Sequence, residues 1–124
     1  MEKKIIEGTE DTPEIVLDKD NNIFKFAGKS LPEDVKEFYA PIMEWIDDYA
    51  NNPNETTKVV FKMEYFNSAS SKRIVDILTQ FEEIKAKGAN ILVDWYYQDD
   101  DEDMQDAGEA FASIVDLPFN MISY

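Results

Sequence analysis

Apolar residues recur with clear periods along most of this chain. The runs Glu14 to Asp18 (EIVLD) and Ile23 to Ala27 (IFKFA) flank Lys19-Asp20-Asn21-Asn22, a cluster of turn formers, which predicts a β-hairpin. Val35, Phe38, Tyr39, Ile42, Ile46 and Tyr49 then follow helical spacing. Ahead of them Ser30-x-x-Glu33 reads as a capping box with Pro32 in the first turn, and Asn51-Asn52-Pro53-Asn54 ends the helix. Pro41 should kink or split it near Tyr39, because proline removes a helical donor and its ring crowds the preceding turn.

Lys58 to Phe66 (KVVFKMEYF) alternates, with Val59, Phe61, Met63 and Tyr65 on one face, and predicts a strand. A second helix follows through Ile74, Ile77, Leu78, Phe81 and Ile84, stopped by Gly88 after Lys85 and Lys87. Asn90 to Tyr97 (NILVDWYY) reads as the next strand, so Val59 to Tyr97 forms a strand, helix, strand unit whose strands should lie parallel. Residues 99 to 103 open a third helix through Met104, Ala107, Phe111 and Ile114 or Val115, and Pro118 to Ser123 adds an edge strand. No repeat or linker interrupts the chain. The expected fold is α/β, a single domain over residues 1–124 with a mixed sheet and helices mainly on one face.

Composition narrows the chemistry. The 124 residues carry 27 Asp plus Glu against 12 Lys plus Arg, a net charge of −15, and no His or Cys. A Ser-His-Asp triad, a thiolate nucleophile, a disulfide and a usual zinc site are all excluded. So negative a surface repels nucleic-acid phosphate and anionic lipid, and no run of about 18 apolar residues suggests membrane insertion. The first residues, MEKKIIEG, lack the apolar stretch of a signal peptide, which points to the cytoplasm.

Two polar features remain. Asp99, Asp100, Asp101, Glu102 and Asp103, with Asp106, have the oxygen chemistry of a divalent-cation site or a carboxylate enzyme. Met104 stands where a calcium loop needs Gly, however, and Ala110 where it needs Glu, so a solvated helix start is expected and no metal or other cofactor. Asp18-x-Asp20-x-Asn22 fails the same template at Ile23 and Lys29. The second feature is Asn67-Ser68-Ala69-Ser70-Ser71-Lys72-Arg73, between a strand and a helix. One serine, Ser70 or Ser71, should be the N-cap. Lys72 and Arg73 would then oppose the dipole of the first turn, and they suit an anionic group such as phosphoserine, with about −1.5 to −2 charges at neutral pH.

The arrangement resembles the anti-sigma-factor-antagonist (STAS-like) domains and, more closely, the SiaC family of bacterial regulatory phosphoproteins. The resemblance runs through Gly8-Thr9, Thr12-Pro13, Pro32-Glu33, Phe38, Trp45 and the stretch Tyr65 to Ser70. It continues in Asp76-Ile77-Leu78, Trp95-Tyr96-Tyr97 and Pro118-Phe119, and so covers nearly the whole chain. It implies a non-enzymatic partner switch in cyclic di-GMP signalling. A cognate Ser/Thr protein kinase modifies the protein, a PP2C-type phosphatase reverses it, and the unmodified form engages an output protein such as a diguanylate cyclase. The family acceptor, often Thr, falls on Ser68, with Ser70 and Ser71 close by. The partner surface would comprise Asn67, Ser68, Ala69, Ser70, Lys72 and Arg73.

Overall fold

The computed structural model describes residues 1–124. Six strands form one sheet whose spatial order repeats the chain order: β1 (Lys4–Ile6), β2 (Glu14–Asp18), β3 (Ile23–Ser30), β4 (Thr56–Phe66), β5 (Asn90–Tyr97) and β6 (Phe119–Ser123). β1, β2 and β3 run antiparallel, and β3 through β6 are mutually parallel. Each parallel step crosses over through a helix: α1 (Val35–Ala50), α2 (Ser68–Ala86) and α3 (Glu102–Ile114). The predicted hairpin and strand, helix, strand unit are both present, and the edge strand pairs parallel to β5.

Pairing lines up Phe24, Val59 and Val93 in one row across β3, β4 and β5, and Phe26, Phe61 and Trp95 in another, so these side chains share one face. All three helices cover that face. Phe24 meets Trp45 and Tyr49 of α1 and Phe81 of α2, while Trp95 packs against Phe111 of α3. Gly108 makes room for the indole, since a Cβ there would collide with the Trp95 ring. The other face, with Val16, Lys25, Val60 and Lys62, carries no helix; its charges are partly answered by Lys25–Glu14 and Lys58–Asp94 pairs at 2.8 and 3.6 Å.

Three local expectations are corrected. Tyr65 does not continue the core face: it is half exposed, and Phe66 turns inward against Trp95 and Phe111. The cause is a register shift, in which Gly28 pairs Met63 but Lys29 pairs Tyr65, so β4 holds one residue more than β3 and its alternation changes phase. Gly28 permits this at φ 101°. Pro41 does not split α1, which runs unbroken from Val35 to Ala50. Nor does Ser30 begin a capping box. It ends β3, fully buried, and Asp34 caps α1 by accepting from the Glu37 amide at 3.0 Å.

β1 escapes the periodicity altogether. Only three residues long, it pairs Ile5 with Val16, and the backbone carbonyl of Glu2 accepts from the Trp45 indole at 2.8 Å.

Candidate functional site: the serine corner at the end of β4

In open α/β sheets the crevice beyond the carboxyl ends of parallel strands is the usual place for a site. Here that end carries Ser30, the turn from Phe66 into α2, and the acidic turn after Tyr97. Asn67 is the N-cap of α2: extended at φ −83°, ψ 176°, its side-chain oxygen accepts from the Ser70 amide at 2.9 Å. Its own amide donates to the Ser30 carbonyl at 3.1 Å, tying the corner to β3. The expectation of a cap at Ser70 or Ser71 is therefore corrected. Asn and Ser are equally good caps, and the end of β4 decides between them.

The shift changes the meaning of every residue that follows. Ser68 becomes the first helical residue and is exposed, as is Ala69. The amides of both sit in the unbonded first turn, where the helix field favours an anion. Ser70 is fully buried. Its hydroxyl accepts from Ser30 Oγ at 2.8 Å, and Ser30 Oγ in turn lies 2.6 Å from Tyr39 Oη, so three hydroxyls from β3, α1 and α2 form one chain beneath the corner. With Ser30 donating to Ser70, Tyr39 donates to Ser30. Burial pushes the Tyr39 phenol above its ordinary value of 10.0, against the opposing pull of the two serines, and it stays protonated. Ser71 is half buried.

Lys72 and Arg73 fall in the second turn, because α2 starts at Ser68; their conflict with the dipole is smaller than a Ser70 or Ser71 cap implied. They also differ from each other. Arg73 pairs with Asp76 at 3.4 Å, whereas Lys72 is exposed and makes no ion pair within the chain. Lys72 lies four residues after Ser68, which on a helix places both on one stripe with Cβ atoms about 5–6 Å apart. The structure thus gathers Asn67, Ser68, Ala69 and Lys72 at the surface, withdraws Ser70 into the core, and engages Arg73 elsewhere. Sequence reading missed Ser30 and Tyr39 as supports. A serine at a strand end and a tyrosine on a helical stripe carry no signal that they will meet.

The acidic run takes the role of a helix start. Asp101 is the N-cap of α3, accepting from the Met104 amide at 3.0 Å, with Glu102 and Asp103 in the first turn. Nowhere do three or more Asp or Glu side chains converge as a metal would require. The cation-site alternative thus has no assembled ligand set at residues 99–106.

Fold and corner define a class: a small α/β domain, one sheet with helices on one face, that presents a hydroxyl at the start of the helix following a central strand. The match is specific. The sequence model for the SiaC family regulatory phosphoprotein covers residues 6–124, and the chain belongs to the SiaC family. An uncharacterised protein of Pseudomonas aeruginosa strain UCBPP-PA14 is 26% identical over 114 residues, 92% of this chain and 90% of that protein. Among solved structures, SiaC of Pseudomonas aeruginosa has a TM-score of 0.91 at 24% identity over the whole of both chains. The crystal structure of apo-SiaC from the same organism scores 0.89 at 25% identity, over 98% of this chain and 99% of that one. SiaC also appears as the activator in the crystal structure of the diguanylate cyclase SiaD in complex with it, and this chain matches with a TM-score of 0.90 at 24% identity, over 98% and 99% of the two chains. No helix of the present chain is long and apolar enough to cross a membrane.

Proposed function

We propose that the protein is a non-enzymatic, cytoplasmic partner switch whose state is set by reversible phosphorylation of Ser68. The observation that carries this reading is the contrast between neighbours: Ser68 is exposed at the first position of α2, while the Ser70 hydroxyl is buried and already hydrogen-bonded. A kinase must bring the hydroxyl oxygen to the terminal phosphorus of its nucleotide, which a side chain in that buried chain cannot offer without local unfolding. A phosphate on Ser68 meets the unbonded amides of the first turn and the Lys72 ammonium one turn on, so the fold tolerates it. The dephosphorylated corner binds an output protein. Likeness to a SiaC that activates the cyclase SiaD favours a diguanylate cyclase in that role. A Ser/Thr kinase and a PP2C-type phosphatase interconvert the two forms.

Switching follows from desolvation. A docked partner shaped around a neutral hydroxyl must strip water from a dianion when Ser68 is modified, a penalty of several kcal/mol if no donors are prepared for it. Phosphopeptide mapping of the protein from its native cells tests the assignment. Phosphate on Ser68, absent from Ser68→Ala, is expected; phosphate on Ser70 or Ser71 with Ser68→Ala still fully modified would refute it.

A further inference from the structure

A second surface lies between β1 and the start of α1, and its Pro32 and Phe38 lie close in the chain to Ser30 and Tyr39 of the serine corner. Ile6, Pro32, Phe38 and Pro41 form an apolar floor, and Glu33, Asp34 and Glu37 stand around it, enclosing an open groove of about 810 Å³. The three carboxylates are exposed, the floor residues half buried, and the lining includes no Lys or Arg. Part of this has a local explanation. Asp34 caps α1, and Glu37 complements the helix dipole. Neither role requires an apolar floor open to water.

Pro41 contributes to the floor from within α1. A proline inside a helix removes a donor, and its ring crowds the carbonyl four residues back. Pro41 sits in the middle of α1, so the Glu37 carbonyl, on the same stretch of helix, lacks its ordinary amide partner. The groove therefore combines apolar surface with three exposed carboxylates. Every polar group on that list accepts hydrogen bonds or attracts cations.

We infer that this groove is a docking site for a partner segment bearing one or two bulky apolar side chains flanked by Lys or Arg. The apolar anchor lies on Phe38, Pro32 and Pro41, as in other helix-in-groove contacts. The flanking cations reach the Glu33 and Glu37 carboxylates. Charge complementarity excludes acidic segments, this chain's own acidic helix among them, and supplies specificity along with encounter rate. The site shares no residue with the Asn67 to Arg73 corner, so the inference stands independently of the phosphorylation reading.

Nuclear magnetic resonance titration of the full chain tests it with three synthetic peptides of roughly 14 residues, about four helical turns. The first places Leu and Phe on one helical stripe and Lys on the other; the second replaces each Leu and Phe with Ser; the third replaces each Lys with Glu. The first should shift the amides of Ile6, Glu37 and Phe38 saturably, the second should bind roughly tenfold more weakly or worse, and the third should leave those amides unmoved. The exposed double variant Glu33→Lys, Glu37→Lys should weaken the first peptide roughly tenfold, and Asp99→Lys, Asp103→Lys less than about twofold. Equal binding by the first two peptides would reduce the effect to general attraction by an acidic protein and overturn the inference. So would shifts centred on Asp99 to Asp106, or none at the groove.

Discussion

Ser30, Ser68 and Ser70 show how far one residue type can diverge within a single corner. All are turn-compatible and cap-compatible in sequence, and local chemistry alone could not rank them. Burial ranks them: Ser68 faces water, while Ser30 and Ser70 complete a hydroxyl chain with Tyr39 that only the packing of α1 on β3 and α2 creates. Tyr39→Phe should leave the Ser30 hydroxyl short of a partner and cost about 1–2 kcal/mol in urea unfolding at pH 7. The pH dependence has a definite sign. Because the folded phenol titrates above 10.0, its contribution is complete below that pH and is lost as pH rises through the higher folded value. The stability gap between wild type and Tyr39→Phe should accordingly narrow above pH 10, and a gap unchanged through that range would contradict the buried-phenol account.

At the scale of elements, period served well wherever a segment had one buried face. The β2–β3 hairpin, α1, α2 and the parallel pair β4–β5 were legible from spacing, because one-sided burial imposes a period of 2.0 or 3.6. The failures have physical causes. β1 is too short to show a period, and the phase change in β4 depends on pairing with Gly28 in another strand, which spacing within β4 cannot reveal. Phe66→Ala should therefore cost about 2 kcal/mol or more, and Tyr65→Ala less than about 1, the reverse of what strict alternation implies. Thermal melts of the two variants decide it. Gly108→Ala carries a methyl into the Trp95 ring, and should lower stability by about 1–3 kcal/mol although alanine is the better helix former. A neutral or stabilising effect would mean that α3 sits differently on the sheet.

For the whole molecule, charge is distributed as unevenly as shape. No Lys or Arg follows Lys87, so α3 and its approach carry only negative charge, while all three helices sit on one side of the sheet. The family and fold were legible in the sequence because their motifs span nearly the whole chain, whereas the groove beside Pro41 was not, since its walls come from β1, the β3–α1 connection and α1. Folding needs no metal in this account, and a melting temperature unchanged by EDTA at constant ionic strength is expected; a marked loss would point to a bound cation. The central claim is that one phosphate at the β4–α2 corner exchanges partners without unfolding the domain. Its most direct measurement is the affinity of the unmodified and stoichiometrically Ser68-phosphorylated chain for the diguanylate cyclase of the same cell, with circular dichroism of both forms. The account predicts superimposable spectra and binding weakened by roughly a hundredfold or more on phosphorylation, whereas equal affinity of the two folded forms would contradict it.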